Sequence, residues 1–424
     1  MNILHISPRY LPAVGGAEKH LHEFSRRLAQ DGHFVRVVTT NALAPDSLWR
    51  GDRALVSPLE EEIDGVEIVR VPLRYLPMSP LLFRALRRLL LILSEARAPL
   101  GLLNQLARLI PSVPTWRAQL ARDGRAYDVV AGMNIAYESF HVAAYEYARQ
   151  KGFPFALFPL THLGEEESAY RLQKYYTMRH QIELVKNSDA VFAQTCGESN
   201  FYHSVGVQAD RLIRLGPGVE PGEITGGEAT RAREKFRLDG RVILFLGTIS
   251  RDKGTAFLFE AMQLIWARGE KATLVLAGAP LGDWKIPNDE RIRAPGVISD
   301  ADKNDLLAAC DVLALPSRVD SFGIVLLEAW LYGKPVIGAD AGGIRDVIVE
   351  GQNGLRVPYG DPAALANALE TVLNNPGLAD ELGARGRATV LAQHTWAHKY
   401  EILRRVYERL AKKRPLDGLT EKNS

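Results

Sequence analysis

A chain of 424 residues that is 46% hydrophobic and 24% charged can bury large cores, which excludes a mainly disordered protein, a collagen-like repeat and a disulfide-stapled mini-domain. At roughly 150 residues per domain the length suits two to three domains. With 52 Lys+Arg against 50 Asp+Glu the net charge is +2, so no global excess of positive charge points to nucleic acid as a partner.

The chain opens on the apolar run Ile3-Leu4-His5-Ile6, with neither a cationic n-region nor an apolar h-region before it, so no secretory leader is expected. Cys196 and Cys310 stand far apart, outside any CxxC or His-rich setting. They are expected to be buried thiols in a reducing compartment, which implies a cytoplasmic protein. Runs rich in Val, Ile and Leu at 2–7, 34–40, 66–72, 127–133, 153–160 and 189–195 read as strands. Most are nearly continuous in hydrophobicity, as parallel strands covered on both faces are. Repeated strand–helix–strand units then imply a doubly wound α/β sheet with right-handed crossovers.

Segment 74–110 stands apart, being rich in Leu and carrying Arg84, Arg87, Arg88, Arg97 and Arg108 against the single acid Glu95. A basic amphipathic helix of this kind can lie on an anionic membrane surface; it can also simply pack on the first domain with its arginines in water. The longest purely apolar run near the middle, 89–93, is far short of the roughly 20 residues that a spanning helix needs. After 212–218 a Gly/Pro/Glu-rich stretch, 217–227, reads as a linker, and the strand pattern restarts at 241–247, 273–278, 311–316 and 335–338. Helical segments 255–268 and 322–332 separate these strands. The expected architecture is two Rossmann-like domains facing each other across a cleft. Residues 1–212 form the first, 213–238 the linker and 239–397 the second. Residues 398–424 supply a helix returning to the first domain and a frayed tail from Arg414. Ligands are expected at the carboxyl ends of the strands.

Four sequence features carry chemistry. Around Pro316-Ser317-Arg318-Val319-Asp320-Ser321-Phe322-Gly323 a strand ends, a turn follows and a helix begins near Phe322, with Glu328 two turns in. The first amides of that helix suit phosphate oxygens. Asp320 can accept from sugar hydroxyls and Glu328 from a ribose diol, although an Asp cap and an ordinary buried-edge Glu fit the same residues. Directly after the first strand, Gly15 and Gly16 let the backbone approach a diphosphate closely. Gly247-Thr248-Ile249-Ser250-Arg251-Asp252-Lys253-Gly254 repeats the strand-to-helix loop in the second half. His162, at a strand end, can hydrogen-bond a sugar hydroxyl or an acceptor as a neutral imidazole. Glu165, Glu166 and Glu167 follow it and either shape the acceptor side or form a solvated run. The only Asp-x-Asp, Asp300-Ala301-Asp302, opens a helix at 303–309, so capping explains it better than a metal site.

Segment 316–329 resembles the Glu-x7-Glu signature of the GT-B glycosyltransferases, specifically the retaining family GT4, and the similarity covers most of the chain. Pro12-Ala13-Val14-Gly15-Gly16-Ala17-Glu18 resembles that family's Gly-Gly loop, and 247–254 its Gly-Arg-Leu-x-x-x-Lys-Gly loop. Leu276-Ala277-Gly278, Gly342-Gly343-Ile344-Arg345-Asp346 and Gly351-Gln352-Asn353-Gly354-Leu355 are similar to further landmarks, the last two as loop architecture. The resemblance implies catalytic roles for His162, Lys253 and Asp320. It implies donor contacts from Gly15, Gly16, Arg251, Ser321, Phe322, Gly323, Ile324 and Glu328. It further implies metal-independent, cofactor-free transfer with retention from a nucleotide-diphospho-sugar. The acceptor would be carbohydrate or lipid-linked, in polysaccharide, lipopolysaccharide or glycolipid synthesis. Two departures stand out. Thr248 replaces a common arginine, which Arg251 can substitute. Asp320 replaces the usual Glu, shortening the reach by about 1.5 Å, which implies altered sugar preference. Competing readings are a weakened nucleotide- or carbohydrate-binding relative and an epimerase or phosphorylase on the same scaffold. A dehydrogenase fits poorly, because no Gly-x-Gly-x-x-Gly follows the first strand.

Overall fold

Strands with no polar alternation leave no face for water, so they need helices on both sides. Both halves of the chain solve that problem in the same way. The computed structural model describes residues 1–109, 111–163, 173–282, 285–416 and 418–419. Within it the chain divides into two units. Residues 1–163, 173–216 and those from Tyr400 onward form the first, and Pro217–Lys399 the second.

In the first unit β1 (Asn2–Ile6), β2 (Phe34–Thr40), β3 (Glu60–Ile63), β4 (Val66–Val71), β5 (Val129–Met133), β6 (Phe155–Phe158), β7 (Ala190–Ala193) and β8 (Leu212–Arg214) build one sheet. Its order is β3-β4-β2-β1-β5-β6-β7-β8, and only β3 runs antiparallel, against β4. Chain order reverses at β1, which pairs with β2 through Ile3↔Val35 and with β5 through Ile3↔Val129. The terminal helix, Trp396–Ala411, brings Tyr407 against this sheet. Buried His5 on β1 meets Tyr407 Oη at 3.0 Å through Nε2 and Ser25 Oγ at 2.8 Å through Nδ1.

The second unit stacks β9 (Arg241–Leu246), β10 (Ala272–Ala277), β11 (Ile292–Gly296), β12 (Val312–Leu315), β13 (Val336–Ala339) and β14 (Leu355–Val357). Their order is β11-β10-β9-β12-β13-β14, all parallel. Chain order reverses between β9 and β12. Their carboxyl ends are therefore a topological switch point, where open α/β sheets bind ligands.

Several expectations change. Residues 213–238 are ordered: Ile213 and Arg214 end β8, and two helices, Pro221–Ile224 and Ala229–Phe236, follow. The second of these buries Ala232 and sets Arg231 against Asp305, so it belongs to the second unit's core layer. The tail from Arg414 begins packed, with Leu416 buried and Arg409 donating to the Pro415 carbonyl at 3.0 Å. Residues 417 and 420–424 lie outside the described residues. Cys310 is buried, and burial pushes its thiol up to about 12, but Cys196 is only half-buried, with Arg214 against its sulfur. Among the described residues no helix is long and apolar enough to cross a membrane.

Candidate functional site

The loop after β9 turns into the helix Thr255–Ala267 at Gly254, which has φ 73°. A Cβ there would stand 1.9 Å from the Pro316 carbonyl oxygen, so only glycine lets this loop press against the one after β12. The two loops are also strapped together, since Arg318 donates from its backbone N–H to Asp252 O at 3.1 Å and from its guanidinium to Asp252 Oδ1 at 2.6 Å. A third loop, after β13, locks onto the second. Gly343 N–H donates to Asp320 O at 2.8 Å, and a Cβ on Gly343 would lie 2.0 Å from Ser321 O.

This frame places the expected side chains. Lys253 Nζ donates to Asp320 Oδ1 at 2.8 Å, joining the two loops at the switch point. Asp320 Oδ2 is buried with no hydrogen-bond partner among the described residues. A carboxylate oxygen left without a donor is rare and costly. The helix expected from Phe322 begins instead at Ile324, because Gly323 adopts φ 78° and Phe322 is buried, its ring edge-on to His394. That helix, Ile324–Leu331, has no side-chain cap; Leu326 N–H donates to Gly323 O at 2.9 Å, and the amides of Ile324 and Val325 carry no side-chain cap. Glu328, one turn into this helix and buried, accepts from Lys303 Nζ at 2.9 Å. Burial opposes the Lys303 charge, but Glu328 and Asp300 outweigh it and hold the ammonium above its ordinary pKa. Arg251 is exposed, and it is its carbonyl, accepting from Tyr359 Oη at 2.9 Å, that the fold uses. Of the Asp-x-Asp, Asp302 is committed: Ser299 Oγ accepts from its N–H at 3.1 Å and Lys235 bonds its carboxylate at 2.6 Å.

In the first unit the helix Gly16–Gln30 starts within the Gly15-Gly16 pair, with Gly15 just before its first residue. A Cβ on Gly15 would meet Glu18 Oε2 at 2.1 Å, whereas Gly16 faces open space. Glu18 pairs with Arg9 at 2.6 Å; burial raises its carboxyl pKa and Arg9 only partly reverses that. His162 is half-buried, edge-on to Tyr176 at 5.2 Å. Beside it, Thr161 N–H donates to Glu198 Oε1 at 2.7 Å, and Gln194 N–H donates to Glu198 Oε2 at 2.7 Å. The run Glu165, Glu166 and Glu167 lies outside the described residues.

Sequence reasoning missed Lys303, Arg318 and Glu198. Arg318 stood inside the quoted motif as a cation in a strand–turn–helix loop, and that was the available signal. Nothing in the spacing marks Lys303, whose partner is 25 positions away.

Comparison with known proteins decides the family. Residues 15–218 match the glycosyl transferase 4-like domain and residues 227–389 the glycosyl transferases group 1. The chain belongs to the GT-B glycosyltransferases of the GT4 type. D-inositol 3-phosphate glycosyltransferase of Jonesia denitrificans is 31% identical over 250 residues, 54% of this chain and 58% of that protein. The chain therefore spans little more than half the length of that relative. Glycogen synthase of Mycobacterium tuberculosis is 27% identical over 438 residues, 98% of this chain and 95% of that one. The Anabaena protein HepE, solved with UDP-glucose, superposes with a TM-score of 0.67 at 17% identity, over 96% of this chain and 99% of that one. At that identity the likeness speaks for the GT-B fold alone.

Proposed function

We propose that this GT-B protein is a retaining hexosyltransferase. It takes a nucleotide-diphospho-sugar mainly on its second domain and a hydroxyl acceptor on its first. The carrying observation is the Lys253–Asp320 pair at the β9/β12 switch point, near the start of the helix Ile324–Leu331, which no side chain caps. A bound diphosphate draws Lys253 toward itself, and the lysine and the helix dipole then stabilise the charge that develops on the leaving group. Asp320, with one oxygen still lacking a donor, accepts from a sugar hydroxyl. Its shorter side chain sets the sugar preference. Glu328, held by Lys303, accepts from the ribose diol. On the first domain, Gly15 and Gly16 offer a ligand a close backbone approach, and His162 bonds a sugar or acceptor hydroxyl.

Retention follows if the diphosphate itself takes the acceptor's proton, so that no enzymic carboxylate is the nucleophile. The lysine and amides serve where other transferases use a metal ion, and no cofactor is required. The UDP-glucose bound to HepE supports a nucleotide-sugar donor of that kind. The acceptor is a carbohydrate or lipid-linked hydroxyl in polysaccharide, lipopolysaccharide or glycolipid synthesis, met at the cytoplasmic face of an anionic membrane. A thermal-shift panel of UDP-, GDP- and ADP-sugars tests the donor assignment, because a ligand that binds only the folded state raises its apparent stability. One sugar nucleotide is expected to raise Tm in chelator as well as in buffer. No shift with any of the three overturns the reading.

A further inference from the structure

Among the described residues, the helix Ser79–Glu95 is anchored from one side only. Leu86 and Leu90 are buried in a cluster with Met178, and Trp49 stacks on Phe83 with ring centroids 4.3 Å apart. Arg87 points inward and donates to both oxygens of the buried Glu138, at 2.7 and 2.9 Å. Burial alone would raise the Glu138 carboxyl, but Arg87 and His180 pull it down to about 2. Near the far end of the helix, Arg179 N–H donates to Ser94 Oγ at 2.9 Å. These contacts fix which way the helix is turned.

Its outward side is apolar. Met78, Leu81, Leu82, Ala85, Leu89 and Ile92 recur at spacings of three and four, and so form one stripe along the helix. Met78 is 72% exposed, Leu81 59% and Ile92 52%. A surface helix ordinarily carries polar side chains on this side. Arg84 and Arg88 are exposed along the edge of the stripe, and Arg97 just past its end. The helix's only acid, Glu95, is neutralised by Lys174 at 2.7 Å. The following helix, Leu100–Ala107, also exposes Leu102.

We infer that this stripe is a docking face for an anionic lipid bilayer, with the helix lying in the headgroup plane and its arginines on lipid phosphates. The inference deepens, and rests on, the membrane-borne acceptor proposed above. Charge selects the occupant: a fixed apolar stripe edged by exposed arginines complements anionic headgroups. A second copy of the chain would set the same arginines against each other.

The test is vesicle flotation of the full chain, with phosphatidylcholine alone and with phosphatidylcholine plus phosphatidylglycerol. Binding is expected only to the anionic vesicles and should weaken with salt. The pair Leu89→Asp with Ile92→Asp should abolish it. Each of Arg84→Gln and Arg88→Gln should lower the partition about fivefold. All four side chains are exposed, so an unchanged Tm serves as the folding control. The inference is overturned if the wild type ignores anionic vesicles or if the aspartates leave binding intact. It is equally overturned if the aspartates instead dissolve a dimer that forms without lipid. Calorimetry with sugar nucleotides separates the two proposals. Donor binding without vesicle binding defeats the docking face alone, and vesicle binding without donor binding defeats the transferase reading.

Discussion

Two pairs of acids, one pair in each domain, are held in opposite ways. In the first, Glu138 and Glu198 are sealed, and each carboxylate oxygen has a partner in the protein itself: Arg87, His180 and Gln181 around Glu138, and the Thr161 and Gln194 amides around Glu198. In the second, Asp320 and Glu328 each lean on one lysine at the mouth of the sheet, their side chains 19% and 11% exposed, and Asp320 keeps one oxygen without a donor. Sealed acids shape the backbone. Half-open acids with one movable cation are placed for a ligand that can exchange with that cation. Burial alone does not mark a functional acid; unfinished hydrogen bonding does.

The comparison breaks if substitutions in the two domains have the same effect. The largest difference is expected from Lys253→Ala, which should lower turnover about a hundredfold while moving Tm little, because a partly exposed ion pair contributes only about 0–1 kcal/mol. Steady-state kinetics beside a melting curve would show it; wild-type turnover would place Lys253 outside the chemistry. Glu198→Gln should behave in the opposite way. It leaves one of two buried N–H groups without its acceptor, at a cost of about 1–3 kcal/mol in stability, and should leave donor affinity unchanged. Denaturant titration with calorimetry on the same variant checks both halves.

A pH-dependent effect sharpens the contrast. Burial lowers His5 from 6.5 to about 3 and His141 from 6.5 to about 4. Both stay neutral in the fold, whereas the unfolded chain takes up their protons below about pH 6.5. Their stabilising contribution is therefore complete above that pH. It is lost as pH falls toward 4 for His141 and 3 for His5, at up to about 1.4 kcal/mol per unit for each. His141→Gln should flatten the denaturation midpoint between pH 6.5 and 4; an unchanged slope would mean that His141 is charged in the fold.

Much of this fold was legible because strands buried on both faces cannot hide. Val-Ile-Leu runs such as 241–246 and 272–277 announce themselves. What escaped were the edges. Glu60-Glu61-Glu62-Ile63 is polar because β3 has one neighbour and an open side, and β11 carries Pro295, which only an edge tolerates. The same limit applies to the site. Local motifs singled out Lys253 and Asp320 in loops that follow strand ends, and Glu328 in the helix after the second of those loops. The Lys303–Glu328 and Thr161–Glu198 contacts join residues 25 and 37 positions apart, and only the folded sheet brings them together. Gly342 and Gly343 read as loop architecture, and packing agrees: they let the β13 loop touch the Asp320 loop backbone to backbone.

The most direct measurement is isothermal titration of the UDP-, GDP- and ADP-sugars into the intact chain and its Glu328→Gln form. One sugar nucleotide should bind, and the neutral amide, a weaker acceptor for two hydroxyls, should loosen it about tenfold. Failure of all three to bind, or equal affinity for the two proteins, would contradict the account.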